Sequence, residues 1–213
     1  GYYLHYETCC RNGLIDNLAT PTSDGISIFA IIPDPSIGQN STPDFGDYPN
    51  DAYFCVNNIK YFTWPVTDPD GDSLVFSLVA PLDDGTNPNN GNSAPGSGAY
   101  PFYPSCNFAA GYNQFNVIGG SPQMSINSIT GEIAASPAII GYFQFSVRVE
   151  EYRNGVKIGE VRRDAQYASL PCVLANPPVI TLNNDVGSPA VDTFSVDIYV
   201  NDSICFDLEV GVN

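Results

Sequence analysis

The chain has 213 residues, with 23 Asp and Glu against seven Lys and Arg, a formal net charge of −16 and a pI near 4.1. That balance excludes nucleic-acid binding, which needs a positive surface, and argues against docking on anionic membranes. It suits a self-repelling extracellular protein that meets divalent cations. Nineteen Gly, 18 Pro, 13 Tyr and 12 Phe favour strands joined by turns over helices. No apolar run reaches the length of a membrane span, and no charged segment followed by an apolar one opens the chain as a signal peptide would.

Tyr2 to Thr8 reads as an aromatic strand, followed by Cys9-Cys10-Arg11-Asn12-Gly13. After the connector Asn40-Ser41-Thr42-Pro43-Asp44-Phe45, further strands are expected at Tyr53–Thr63 and Ser73–Val79. Between those two strands lies Asp68-Pro69-Asp70-Gly71-Asp72, three carboxylates in five residues. Alternate Asp side chains can converge on one hard cation, since Ca²⁺ takes about six to eight oxygens at about 2.3–2.6 Å. The same residues also make an ordinary polar turn, and the loop lacks the full EF-hand pattern. Any calcium site must therefore borrow ligands, and Glu150 and Glu151 at the end of a later strand are the candidates. Their alternative role is pairing with the basic residues of their own hairpin.

Residues 83–120 form a long Gly/Asn/Pro-rich insertion carrying Tyr100, Phe102, Tyr103, Cys106 and Phe108. A loop of that length is functional or anchored. Tyr100, Phe102 and Tyr103 are the aromatics with the best chance of forming an exposed carbohydrate platform. Ser125 to Ile133 reads as strand-turn-strand. Phe143, Phe145, Val147 and Val149 then alternate with polar residues, and Asn154-Gly155 predicts a two-residue turn into Val156–Arg163. The apolar phase switches across Gly159, which predicts a bulge there.

Asn12-Gly13 recurs as Asn154-Gly155, and the Asn/Pro connector at Asn40 recurs at Asn176-Pro177-Pro178. Each connector is followed by an aromatic-cysteine pair, Phe54-Cys55 and Cys205-Phe206. This ordered set predicts an all-β chain of tandem immunoglobulin/cadherin-like β-sandwiches. Residues 1–39 would be the closing strands of one repeat, 40–172 a complete domain, and 173–213 the opening strands of the next.

Six cysteines without a C-x-x-C pair, and a single histidine, His5, point to disulfides rather than zinc. Adjacent Cys9 and Cys10 are expected to reach two different partners, because pairing with each other strains the bridge. His5 has no nucleophile elbow beside it, and no Gly-rich phosphate loop is present, so the chain reads as non-enzymatic. Five of the seven basic residues fall between Arg148 and Arg163, a solvated strand face or a contact with an acidic neighbouring module.

Asn40-x-x-Pro43-x-Phe45, the Asp68–Leu78 stretch, and Ile126 through Thr130-Gly131-Glu132-Ile133 to Gly141-Tyr142-Phe143 resemble cadherin-like and dystroglycan-type bacterial modules. Cys9-Cys10-Arg11-Asn12 and the run Val149 to Asp164 are similar to repeat units of very large Bacteroidota surface proteins. Those include gliding adhesins and filaments exported by type IX secretion. The resemblance covers about residues 2–172. It implies a structural or adhesive repeat on the bacterial outer cell surface, with neighbouring repeats, surface polysaccharide or other surface proteins as partners. A carbohydrate-binding accessory module of a secreted polysaccharide-degrading enzyme is the competing function. Asp202-Ser203-Ile204 resembles the Bacteroidota O-glycosylation motif and marks Ser203, ahead of Ser73, as an acceptor. By the repeat logic Cys172 would bond Cys205, Cys55 would bond Cys9 or Cys10, and Cys106 would take the other.

Overall fold

The Asn154-Gly155 turn closes the longest hairpin among the described residues, Asn154 and Gly155 both taking positive φ (52° and 77°) as a two-residue turn requires. In this computed structural model, which describes residues 2–83 and 103–172 and the backbone of 179–182 and 208–211, eleven strands are assigned. They are β1 (Tyr2–Thr8), β2 (Ile26–Ile32), β3 (Tyr53–Cys55), β4 (Lys60–Thr63), β5 (Ser73–Val79), β6 (Ser125–Ile126), β7 (Glu132–Ala135), β8 (Gly141–Arg153), β9 (Val156–Leu170), β10 (Val179–Leu182) and β11 (Leu208–Gly211). Apart from a 3₁₀ turn at Pro35–Ile37, no helix occurs among the described residues, and none could cross a membrane.

A six-stranded sheet runs β1-β2-β9-β8-β5, with β3 pairing parallel to the far end of β9. A three-stranded antiparallel sheet, β4-β7-β6, supplies the second layer of a β-sandwich. The expected single strand over 53–63 is therefore two strands in two sheets, broken where Asn57 takes φ 60°. The core between the layers is aromatic. Trp64 stacks on Phe145, Tyr167 meets Phe145 edge-on, and the Trp64 indole N–H donates to the Tyr167 hydroxyl at 3.3 Å. Such pairs add to what burial alone contributes. Arg163 lies over the rings of Phe45 and Tyr48 and donates to the Gly46 carbonyl at 2.7 Å, pinning residues 45–48 to the sheet.

The chain divides into two compact units, Gly1–Pro171 and Cys172–Asn213. No break occurs at 39/40, because Ala30 pairs with Val161 and joins β1 and β2 to the sheet of the following segment. Asn12-Gly13 also differs from its apparent repeat. Asn12 caps a local turn, its side-chain oxygen accepting the Leu14 N–H at 3.1 Å, and β1 reaches β2 through residues 9–25 instead. That connection is tied to β8: Asn17 donates to the Val117 and Gln144 carbonyls, and its oxygen accepts the Gln144 N–H at 2.9 Å.

Candidate metal centre

The Asp68–Asp72 turn is built by its own first carboxylate. Gly71 takes φ 79°, and Asp68 Oδ1 accepts the N–H groups of Asp70 at 3.0 Å and Asp72 at 2.9 Å. Asp70 points outward and accepts the Ser41 N–H at 2.5 Å. Asp72 turns inward and is gripped from β8 by Arg153, through Nε to Oδ1 at 2.8 Å and Nη2 to Oδ2 at 2.5 Å. The same guanidinium donates to the Gln39 carbonyl at 3.0 Å and to Asn40 Oδ1 at 2.7 Å. One side chain thus ties the 39–40 connector, the acidic turn and the hairpin together.

Glu151 completes the cluster. It continues the inward phase of Phe143, Phe145, Val147 and Val149, so the pleat carries it to the core side of β8. It is 0% exposed, and neither of its carboxylate oxygens meets a donor at full hydrogen-bond geometry, the Asn40 side chain being its one favourable polar neighbour. Opposite it on β9 stands Gly159, where a Cβ would overlap Glu151 Oε2. The register shifts after Glu151, so that Tyr152 faces Lys157 and Ile158 is extra, placing the expected bulge beside Gly159. Burial pushes the Glu151 carboxyl up to about 7; the Asp68 and Asp72 carboxylates add to this and the Asn40 side chain opposes it. Asp72 is lowered, chiefly by the hydrogen bonds from Arg153.

Asp68, Asp72 and Glu151 each place an oxygen within 4.8 Å of the others. Two oxygens bound to one Ca²⁺ lie at most about 5 Å apart, twice the metal–oxygen distance. Asp68 Oδ2 is, like both Glu151 oxygens, buried without a partner. A buried acceptor without a donor costs free energy, and a cation among these three would satisfy it. The donor set fits a hard divalent ion.

The other expected ligands stand elsewhere. Asp70 is occupied by Ser41. Glu150 faces the opposite side of β8, where Lys157 at 2.5 Å and Arg148 at 3.5 Å pair with it. Lys157 and Arg162 also hold Glu160 along β9, so the basic window is an ion-pair network in which Lys157–Glu150 links the two strands.

The cysteine expectation is corrected. Cys9 and Cys10 are bonded to each other across a cis peptide that brings their Cα atoms to 3.1 Å, so neither reaches Cys55 or Cys106. Cys55 and Cys172 are each disulfide-bonded. Cys106 is a free, buried thiol beside Arg11, and burial pushes it up to about 12 against the pull of that guanidinium. Arg11 itself is buried and bridges the Leu82 carbonyl and Asp164, both at 2.7 Å. Cys205 and Ser203 lie outside the described residues, as do Tyr100 and Phe102. Tyr103 is only 7% exposed and packs between His5 and Phe29, so it offers no sugar-binding face.

No local signal in the sequence marks Arg153 as the clamp, Gln39 and Asn40 as its further acceptors or Gly159 as the cradle. No family model, curated protein or solved structure matches the chain.

Proposed function

We propose that this chain is a non-enzymatic structural and adhesive module of a large bacterial cell-surface protein, in which a Ca²⁺ ion held by Asp68, Asp72 and Glu151 locks one end of the sandwich. The observation that carries the reading is Glu151: fully buried, with no donor at full hydrogen-bond geometry, and facing two further carboxylates. Arg153 is the one cation the described residues bring to these three acids, and its guanidinium is taken up by Asp72, so the cluster keeps an excess of negative charge that extracellular calcium would offset. The ion would cross-link the turn before β5 to the end of β8, and through Arg153 the connector at 39–40. A module that transmits tension between neighbouring repeats needs its terminal loops fixed in this way. The resemblance to Bacteroidota surface repeats supplies the cellular setting, outside the cell, with neighbouring repeats, surface polysaccharide or other surface proteins as contacts.

The test has two parts. Antibody raised against the chain should label intact cells of the source organism, and labelling only after permeabilisation would contradict the surface assignment. Melting the purified chain with calcium and with chelator tests the metal.

A further inference from the structure

One row of paired residues crosses the large sheet on its core side: Leu4, Ala30, Val161, Val149 and Phe76. Burial along that row is uneven. Phe76, Val149 and Val161 are buried, Ala30 is half-buried, and Leu4 is 66% exposed. The second layer covers the β5-β8-β9 half and ends at Phe45 and Tyr48, beside a groove of about 460 Å³ bounded by Ile26 and Ile28. Beyond it the same inner face continues bare across β2 and β1. Tyr2 and Tyr6 are 69% and 61% exposed, Ile32 is also exposed, and a second cavity of about 420 Å³ opens between Leu4, Tyr6, Ile28 and Val161. Among the described residues no strand pairs with the outer edge of β1.

We infer that this bare half-face is a self-association surface, packing against the same face of a second copy around a two-fold axis. Charge selects the occupant. Of the charged residues in the chain, β1 and β2 together contain one, Glu7, and its pairing with Ser27 places it on the opposite face from Leu4 and Tyr6. An apolar face whose own two strands bring no acid to it, with Arg162 at its border, lets two copies of a −16 chain meet where their repulsion is weakest. Area sets the strength. Three side chains about two-thirds exposed, with Ile28 and Ile32, present roughly 450 Å² of surface, given about 150–250 Å² for each aromatic. That is within the roughly 300–600 Å² of the largest apolar patch on a typical monomer. Two copies would bury about 900 Å², below the roughly 1,200 Å² of standard specific contacts, which predicts a weak, reversible dimer.

Sedimentation of the intact 213-residue chain across concentrations tests this. The expected result is a monomer–dimer equilibrium in the micromolar range that tightens with added NaCl as the net charge is screened. Leu4→Lys should weaken it at least about tenfold, equivalent to roughly 1.4 kcal/mol. Leu14→Lys, equally exposed but away from the face, should leave it unchanged, and both variants should keep the parental melting temperature. Amides of β1 and β2 should exchange more slowly at high protein concentration. A chain that stays monomeric above 100-fold the expected range, or a dimer that Leu14→Lys weakens as much as Leu4→Lys, would overturn the inference.

Discussion

Glu151 and Gly159 face each other across the β8–β9 hairpin, and the glycine is there because the carboxylate occupies the space a Cβ would need. Gly159 does not take positive φ, so the requirement is steric rather than conformational. The expected outcome for Gly159→Ala is a loss of about 1–3 kcal/mol, the range for overpacking a filled site. The same change made in a Glu151→Ala background should cost much less. Equal losses in the two backgrounds, measured by urea unfolding, would show that the pair does not interact.

Glu151 also sets a pH dependence. A carboxyl raised to about 7 in the folded chain, against an ordinary unfolded value near 4.5, makes the unfolded state the weaker proton binder between those values. Its stabilising contribution is complete below about 4.5 and is lost as pH rises through about 7. With chelator present, the melting temperature should therefore fall between pH 5 and pH 8. Glu151→Gln should flatten that slope. The lowered Asp72 acts in the opposite sense at more acid pH, its contribution being lost as pH falls through its depressed value.

The hairpin, its turn and its bulge were legible because period-2 alternation and Asn-Gly are local signals. The same alternation distinguishes the two glutamates. Glu151 keeps the phase of Val147 and Val149, whereas Glu150 keeps that of Arg148, so one is carried inward and the other to the charged face. The role of Arg153 was not legible, since its bonds to Asp72 and Asn40 span 81 and 113 residues. The place of β1 and β2 was not legible for a related reason: the bridge from Ala30 to Val161 joins them to the main sheet, and no local pattern announces it.

Arg153→Ala should separate stability from affinity. Removing the guanidinium leaves Asp72 without its bidentate partner and should lower the melting temperature in chelator. It also makes the cluster one charge more negative, so the rise in melting temperature on adding calcium should be larger than in the parent. Arg153→Lys, which cannot grip both oxygens, should fall between. A smaller calcium response in Arg153→Ala would contradict the placement of the ion.

Cys106 is predicted to be inert while the chain is folded. A thiol raised to about 12 has almost no thiolate at neutral pH, and burial denies access. Iodoacetamide at pH 8 without reductant should leave the Cys106 peptide unmodified and should label it once guanidinium is added. Peptide mapping should recover Cys9 and Cys10 within one peptide as a bonded pair. Rapid native labelling of Cys106, or a Cys106 bridge to Cys9 or Cys10, would refute the assignment.

Calcium titration of the chelator-stripped chain by calorimetry, with melting followed in parallel, addresses the metal centre most directly. Ligand that binds only the folded state raises stability by RT ln(1 + [L]/Kd), so the melting temperature should climb steadily into the millimolar range. One ion should bind per chain, with Asp68→Asn or Glu151→Gln abolishing both the heat and the shift, and Asp70→Asn or Glu150→Gln sparing them. Superimposable melting curves in chelator and in millimolar calcium would contradict the site and leave Asp68–Asp72 as a turn held by its own Asp68 carboxylate, Ser41 and Arg153.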